Sequence, residues 1–67
     1  MVDTVKLKSI LVLNQMTQED AAKGIGLSRK TFYLRMKSRQ FGSDEIEKLI
    51  KLLHIDDPMS VFFVPDE

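Results

Sequence analysis

The stretch that decides the fold is residues 17–37, TQEDAAKGIGLSRKTFYLRMK. Thr17 has the character of an N-cap, and Asp20 follows at the spacing of a capping box, so a helix should begin here. Ala21, Ala22 and Ile25 then mark one apolar face. Gly26 suits the left-handed residue that closes a helix, because it has no Cβ to clash, and Gly24 just before it weakens the last turn. The helix should therefore end near Ile25. Leu27 turns an apolar side chain into the corner, and Ser28 caps a second helix running from Arg29 to about Ser38. Two helices of roughly eight to ten residues, crossing steeply through a turn of about three, make a helix-turn-helix.

On a helical wheel the second helix buries Phe32 and Met36, at i and i+4. Its opposite face carries Lys30, Tyr33, Leu34 and Lys37, with Arg29 beside them. These residues resemble the helix-turn-helix of the Cro/cI-type phage regulators and their bacterial relatives. The matching positions are Gln18 at the start of the motif, Ala22 at the tight helix crossing, Gly26 at the turn, Ser28 capping the recognition helix and Phe32 as its buried anchor. The similarity runs over about residues 7–62. One departure is Arg35, which stands where that family has an apolar residue; Met36, one position later, is its substitute. The resemblance implies a transcriptional regulator that binds double-stranded DNA.

Working outward, residues 4–15 read as a first helix with Leu7, Ile10 and Leu11 facing the core and Lys6 and Lys8 facing out. Val12 and Leu13 fall outside that stripe and are read as widening the core face, with a partner surface as the alternative. Met16 closes the corner before Thr17. Beyond the motif, Phe41 folds back onto the core from a short connection, and Ser43 caps a further helix with Asp44 and Glu45 in its first turn. Ile46, Leu49, Ile50 and Leu53 follow at i, i+3, i+4 and i+7, the strongest periodic signal in the chain. His54 ends that helix and is read as a surface or helix-dipole residue, since no second ligand sits at metal-binding spacing. Asp57 and Pro58 open one short helical turn, from which Met59, Val61 and Phe62 pack back. Phe63 and Val64 should be extended, and the Pro-Asp-Glu end should fray. The expected fold is a single all-α Cro/cI-type domain of four helices plus a short C-terminal turn or helix, ending in a tail over residues 59–67. Its expected core is Leu7, Ile10, Ala22, Ile25, Leu27, Phe32, Met36, Ile46, Leu49, Ile50 and Leu53.

With 67 residues the chain is near the lower limit for folding alone, so every apolar face must serve one small core. It has no cysteine, which removes disulfides and thiolate metal sites. Its apolar runs, residues 10–13 and 61–64, are too short to span a bilayer, and no secretory leader is recognisable, so a cytoplasmic, nucleoid-associated location is expected. Net charge is zero but unevenly spread. Residues 17–40 set Lys23, Arg29, Lys30, Arg35, Lys37 and Arg39 against Glu19 and Asp20, while residues 41–67 set seven acids against Lys48 and Lys51. A duplex would orient such a two-ended molecule, basic half inward.

Catalysis has little to stand on. The one histidine is paired with no nucleophile, the carboxylates lie on helix turns, and Gly24-Ile25-Gly26 lacks the strand and third glycine of a dinucleotide site. No enzyme activity, cofactor or metal is expected. DNA recognition needs long cationic or hydrogen-bonding side chains near the start of a groove-sized helix. Base reading is assigned to Ser28, Arg29, Lys30, Tyr33 and Leu34, and phosphate contact to Thr17, Gln18, Lys37 and Arg39. Leu34 beside Tyr33 also fits a protein-binding patch, so the alternative is a phage-type modulator that occludes a repressor through the same surface. A homodimer is expected through Val61, Phe62, Phe63 and Val64, because two adjacent phenylalanines cannot both face one small core; Val12 and Leu13 are the competing interface, for a second copy or a repressor partner.

Overall fold

Helix starts in this chain are written in its capping residues, and five of them are used. The computed structural model describes residues 1–65, in which α1 spans Thr4–Leu13, α2 Gln18–Gly24, α3 Arg29–Ser38, α4 Ser43–Leu53 and α5 Pro58–Phe62, with no strand among the described residues. The all-α expectation holds. The expected fraying falls on Asp66 and Glu67, outside the described residues.

Asp3 caps α1 by accepting the Lys6 N–H at 3.1 Å. Thr17 and Asp20 form the expected capping box on α2: the Asp20 N–H donates to Thr17 Oγ1 at 3.1 Å, and the Thr17 N–H donates to Asp20 Oδ2 at 2.9 Å. Ser28 accepts the Thr31 N–H at 3.1 Å and starts α3 at Arg29, as read from the sequence. The cap of α4 is Gly42, one residue earlier than expected. Glu45 explains the shift, because from three positions on its Oε1 accepts the Gly42 N–H at 2.9 Å and draws Ser43 into the helix. Pro58 opens α5 after Asp57, whose side chain makes no capping bond.

Four helices end alike. Gln15, Gly26, Arg39 and His54 all have positive φ, and the next residue along the chain reaches back five positions in each case: Met16 N–H to Leu11 O, Leu27 to Ala22, Gln40 to Arg35 and Ile55 to Ile50, at 2.9–3.2 Å. This is the Schellman closure, in which the left-handed residue frees the chain to turn and satisfies a terminal carbonyl. Only α2 uses glycine for it. Gly24, read as a weak point, marks a close approach instead: a Cβ there would lie 2.7 Å from Leu52 Cδ2 on α4.

The core consists of Val2, Leu7, Leu11, Ala21, Ala22, Ile25, Phe32, Met36, Leu49, Leu53, Val61 and Phe62. Ile10, Leu27, Ile46 and Ile50, expected inside, sit half-buried at its edge with Met16 and Phe41. The two alanines let α2 rest closely against α3. Phe41 packs edge-on to Phe32 with ring centroids 5.5 Å apart. Asn14 ties the ends of α1 and α4, donating to Ile10 O at 2.9 Å and Leu53 O at 3.4 Å.

Two expectations about the ends of the chain are corrected. Val61 and Phe62 point into the protein's own core and are only 2 % exposed, so they are withdrawn from any partner surface, whereas Met59, expected to pack inward, is exposed. Phe63 is the exposed member of the aromatic pair, as anticipated for one of the two. Val64 is held by paired bonds with Met1, each residue's nitrogen donating to the other's carbonyl at 2.9 Å. Asp3 N–H donates to Val61 O at 2.7 Å, and Val2 is buried between these bonds. Val12 and Leu13 do not widen the core face; both stand out in solvent.

Arg35, the departure from the family pattern, crosses to α4, where its Nε donates to Glu45 Oε1 at 3.1 Å. Partial burial raises the Glu45 pKa, but the Gly42 N–H, the Arg35 hydrogen bond and the charges of Arg35 and Lys48 outweigh it and leave the carboxyl below its ordinary value. A folded pKa below the unfolded one stabilises fully above the ordinary carboxylate range, and the gain is lost as pH falls through the depressed folded value.

Two predictions follow from these contacts. Glu45→Ala should lower stability by about 1 kcal/mol at neutral pH by removing the Gly42 cap and the Arg35 partner, and in urea titrations the gap to wild type should close at a pH below the ordinary carboxylate range, where Glu45 is protonated. A gap that persists at that pH would contradict the ionic account. Gln15→Gly should raise stability by up to about 1 kcal/mol, because glycine adopts the left-handed backbone without the Cβ clash, while Gly26→Ala should lower it by a similar amount. Denaturation midpoints moving in the same direction for both would remove this explanation of the helix ends.

Candidate nucleic-acid interface

With Phe32 and Met36 buried, helical geometry turns the other side of α3 outward. Arg29, Lys30 and Lys37 are exposed, and Tyr33 and Leu34 between them are 59 % and 49 % exposed. Among the described residues the ion pairs are Lys23 with Glu19 at 3.9 Å, Arg35 with Glu45 at 3.1 Å and Lys51 with Glu47 at 3.4 Å. None engages Arg29, Lys30 or Lys37, so their charges face solvent without internal neutralisation.

Gln18, the first residue of α2, is half-buried between two clefts that flank this face. One is lined by Thr17, Gln18, Glu19, Arg29, Phe32 and Tyr33. The other is lined by Thr4, Lys8, Gln18, Tyr33, Met36 and Lys37. Gln18 and Tyr33 thus form the ridge between them, and the structure brings Thr17, Gln18, Arg29, Tyr33 and Lys37 onto one continuous surface. Lys8 of α1 joins that surface although the sequence reading left it as an ordinary outward lysine. No local pattern marks Lys8, because its position depends on how α1 lies across the start of α2.

Two of the assigned residues are otherwise engaged. Ser28 accepts the Thr31 N–H and donates its hydroxyl to Thr31 Oγ1 at 2.9 Å, so its hydrogen-bonding proton is committed to the cap and not to a base edge. Arg39 lies past the end of α3, beside Met1, Val2, Gln40, Phe41, Ile46, Phe62 and Phe63, apart from the Gln18 and Lys37 surface. Its Nε donates to Val2 O at 3.0 Å and its carbonyl accepts the Val2 N–H at 3.0 Å, which makes it a brace for the N-terminal segment.

The start of α2 is acidic. Hydrogen bonds from the backbone and side chain of Thr17, together with the nearby charge of Lys23, hold the Asp20 carboxyl below its ordinary pKa against a small desolvation effect. That carboxylate already occupies the Thr17 amide and places a negative charge at the start of α2, so the cationic groups that an incoming anion would meet here are those of α3 and α1. No three His, Cys, Asp or Glu side chains gather into a metal-binding cluster among the described residues. No helix of the described residues is long and apolar enough to cross a membrane. Comparison with family models, with curated proteins and with solved structures returns no match for this chain.

Proposed function

We propose that this chain is a sequence-specific binder of double-stranded DNA, a transcriptional regulator of Cro or repressor type that lays α3 in the major groove. The observation that supports this most is the combination on one short helix of a buried Phe32 and Met36 side with an outward, unneutralised Lys30 and Lys37 side, and with Arg29 exposed and unneutralised at the first residue of the helix. The first turn of α3 projects Arg29 and Lys30, and arginine bonds O6 and N7 of guanine together where lysine reaches the same edge as a point charge. Tyr33 and Leu34, one turn on, supply a hydroxyl and a methyl-sized apolar contact for a thymine. Gln18, Thr17, Lys37 and Lys8 flank these readers and would hold the two phosphate backbones.

A second reading rests on the exposure of Tyr33 and Leu34 at the middle of this face. In that reading the same surface binds and occludes a repressor protein, and DNA affinity is slight. Fluorescence anisotropy with the DNA flanking the chain's own coding sequence, against random duplex and at two salt concentrations, separates the two. The DNA reading expects tighter binding to the flanking sequence and a steep fall with salt. Absence of binding at low salt would leave only the protein-occluding role.

Substitutions resolve the division of labour. Arg29→Ala should cost about 1–3 kcal/mol on the preferred site and relax one base position. Lys37→Ala and Lys8→Ala should weaken all sequences alike and each flatten the salt slope by about one ion. If Lys8→Ala leaves the slope untouched, α1 does not approach the backbone; if Arg29→Ala and Lys37→Ala behave alike, the assignment of reader and anchor fails.

A further inference from the structure

Between α1 and the start of α2 lies a cleft lined by Lys8, Leu11, Val12, Met16, Thr17 and Gln18. Leu11 is buried and Met16 half-buried, but Val12 is 74 % exposed. Lys8 and Gln18 also line the neighbouring cleft of Tyr33 and Lys37, so an apolar depression runs directly into the basic surface. Neither cleft contains an acidic side chain, and among the described residues no carboxylate bridges to Lys8 or Lys37. Lys8 and Val12 stand four residues apart on one side of α1. The other side is different, because there Lys6 and Leu13 share a groove with Asp56 and Asp57. Only the Lys8 side therefore joins uncovered apolar surface to uncompensated positive charge. A phosphate backbone matches its cations but not its apolar cleft.

We propose that this cleft docks an acidic amphipathic helix of a different protein, which seats an apolar side chain against Val12 and Met16 and sets carboxylates beside Lys8 and Lys37. A helix that carries acids one turn from its apolar residues matches the spacing of Lys8 and Val12. A second copy does not supply such a helix, since α4, the most acidic helix of this chain, turns its apolar face into its own core. An anionic bilayer also offers apolar and negative groups together, but it is flat where this cleft is concave. The docked helix covers Lys8 and Lys37, two of the phosphate anchors, so partner and duplex exclude each other. In this respect the inference rests on the DNA reading, but the docking itself is measured without DNA.

The probe is a labelled synthetic helix with leucines on one face and glutamates along both flanks, compared with the same helix carrying lysines for the glutamates. In anisotropy titrations the glutamate helix should bind with a Kd of about 100 µM, and the lysine helix at least about tenfold more weakly. Val12→Ser should weaken the glutamate helix about tenfold and leave duplex affinity unchanged. Lys8→Gln should weaken both helix and duplex, whereas Leu13→Ser, on the other side of α1, should change neither. Val12 and Leu13 are both exposed, so each variant should keep the far-UV spectrum of the wild type. Equal binding of the two helices overturns the proposal, as does a loss in Leu13→Ser instead of Val12→Ser, or no binding at about 1 mM. Binding to phosphatidylserine vesicles without binding to the glutamate helix overturns it in favour of a membrane surface. A glutamate helix that binds without displacing bound duplex overturns the mutual exclusion. Helix binding by a protein that holds no duplex keeps the docking site and removes the DNA reading; duplex binding without helix binding does the reverse.

Discussion

The rotational setting of α3 depends on Phe32. Its ring is 1 % exposed, lies edge-on to Phe41, and sits one turn ahead of the buried Met36, so two anchors fix which side of the helix faces in. Once they are seated, the outward direction of Lys30, Tyr33, Leu34 and Lys37 is no longer free. The remaining core serves that seating: Ala21 and Ala22 keep α2 close, and Gly24 admits Leu52 of α4 where a methyl group would collide. In a chain this small, one tightly packed aromatic carries a large share of the apolar stabilisation.

The electrostatics sort into structural and free charges by the same geometry. Arg35 and Arg39 lie on or just past α3 and count equally in a sum of charges along the sequence, yet one is bonded to Glu45 and the other to the Val2 carbonyl. The field that a partner meets comes from Arg29, Lys30, Lys37 and Lys8. A net charge of zero therefore says little about this surface, because several of the balancing acids act internally, as caps or bridges, or lie on α4 and the loop after it.

Local chemistry was legible in the sequence and long-range chemistry was not. Both ends of α2 and the start of α3 were readable because Thr17, Asp20, Gly26 and Ser28 act on bonds within a few residues of themselves. The Gly42 cap was missed by one residue because a serine competes well as a cap on paper, and only the reach of Glu45 decides between them. Val2 was invisible as core, and Val61 and Phe62 were read both as packing back and as a partner surface: their burial depends on the first and last described segments meeting, as Asp3 does with Val61 and Met1 with Val64. Val12 and Leu13 were misplaced inward because periodicity reports that a helix has apolar residues to bury, not whether its own chain supplies the cover. The candidate site shows the same division: the outward α3 side chains Lys30, Tyr33, Leu34 and Lys37 follow from the wheel, but Lys8 enters and Arg39 leaves through contacts between distant residues.

Arg39 also links these two levels. It takes the left-handed backbone that ends α3, a conformation that disfavours a side chain, and its guanidinium is bonded to Val2. The bond to Val2 holds the exit of α3 and the N-terminal segment together, and that segment is in turn bonded to residues 61 and 64. The C-terminal end of α3 is thereby fixed by both ends of the described chain, whereas its N-terminal end is fixed only by the Ser28 cap and the turn at Gly26. A helix held firmly at its exit and capped locally at its entrance keeps Arg29 and Lys30 at the end with fewer tethers. Local opening at that end would disturb fewer contacts than displacing Phe32 and Met36, which are buried in the core.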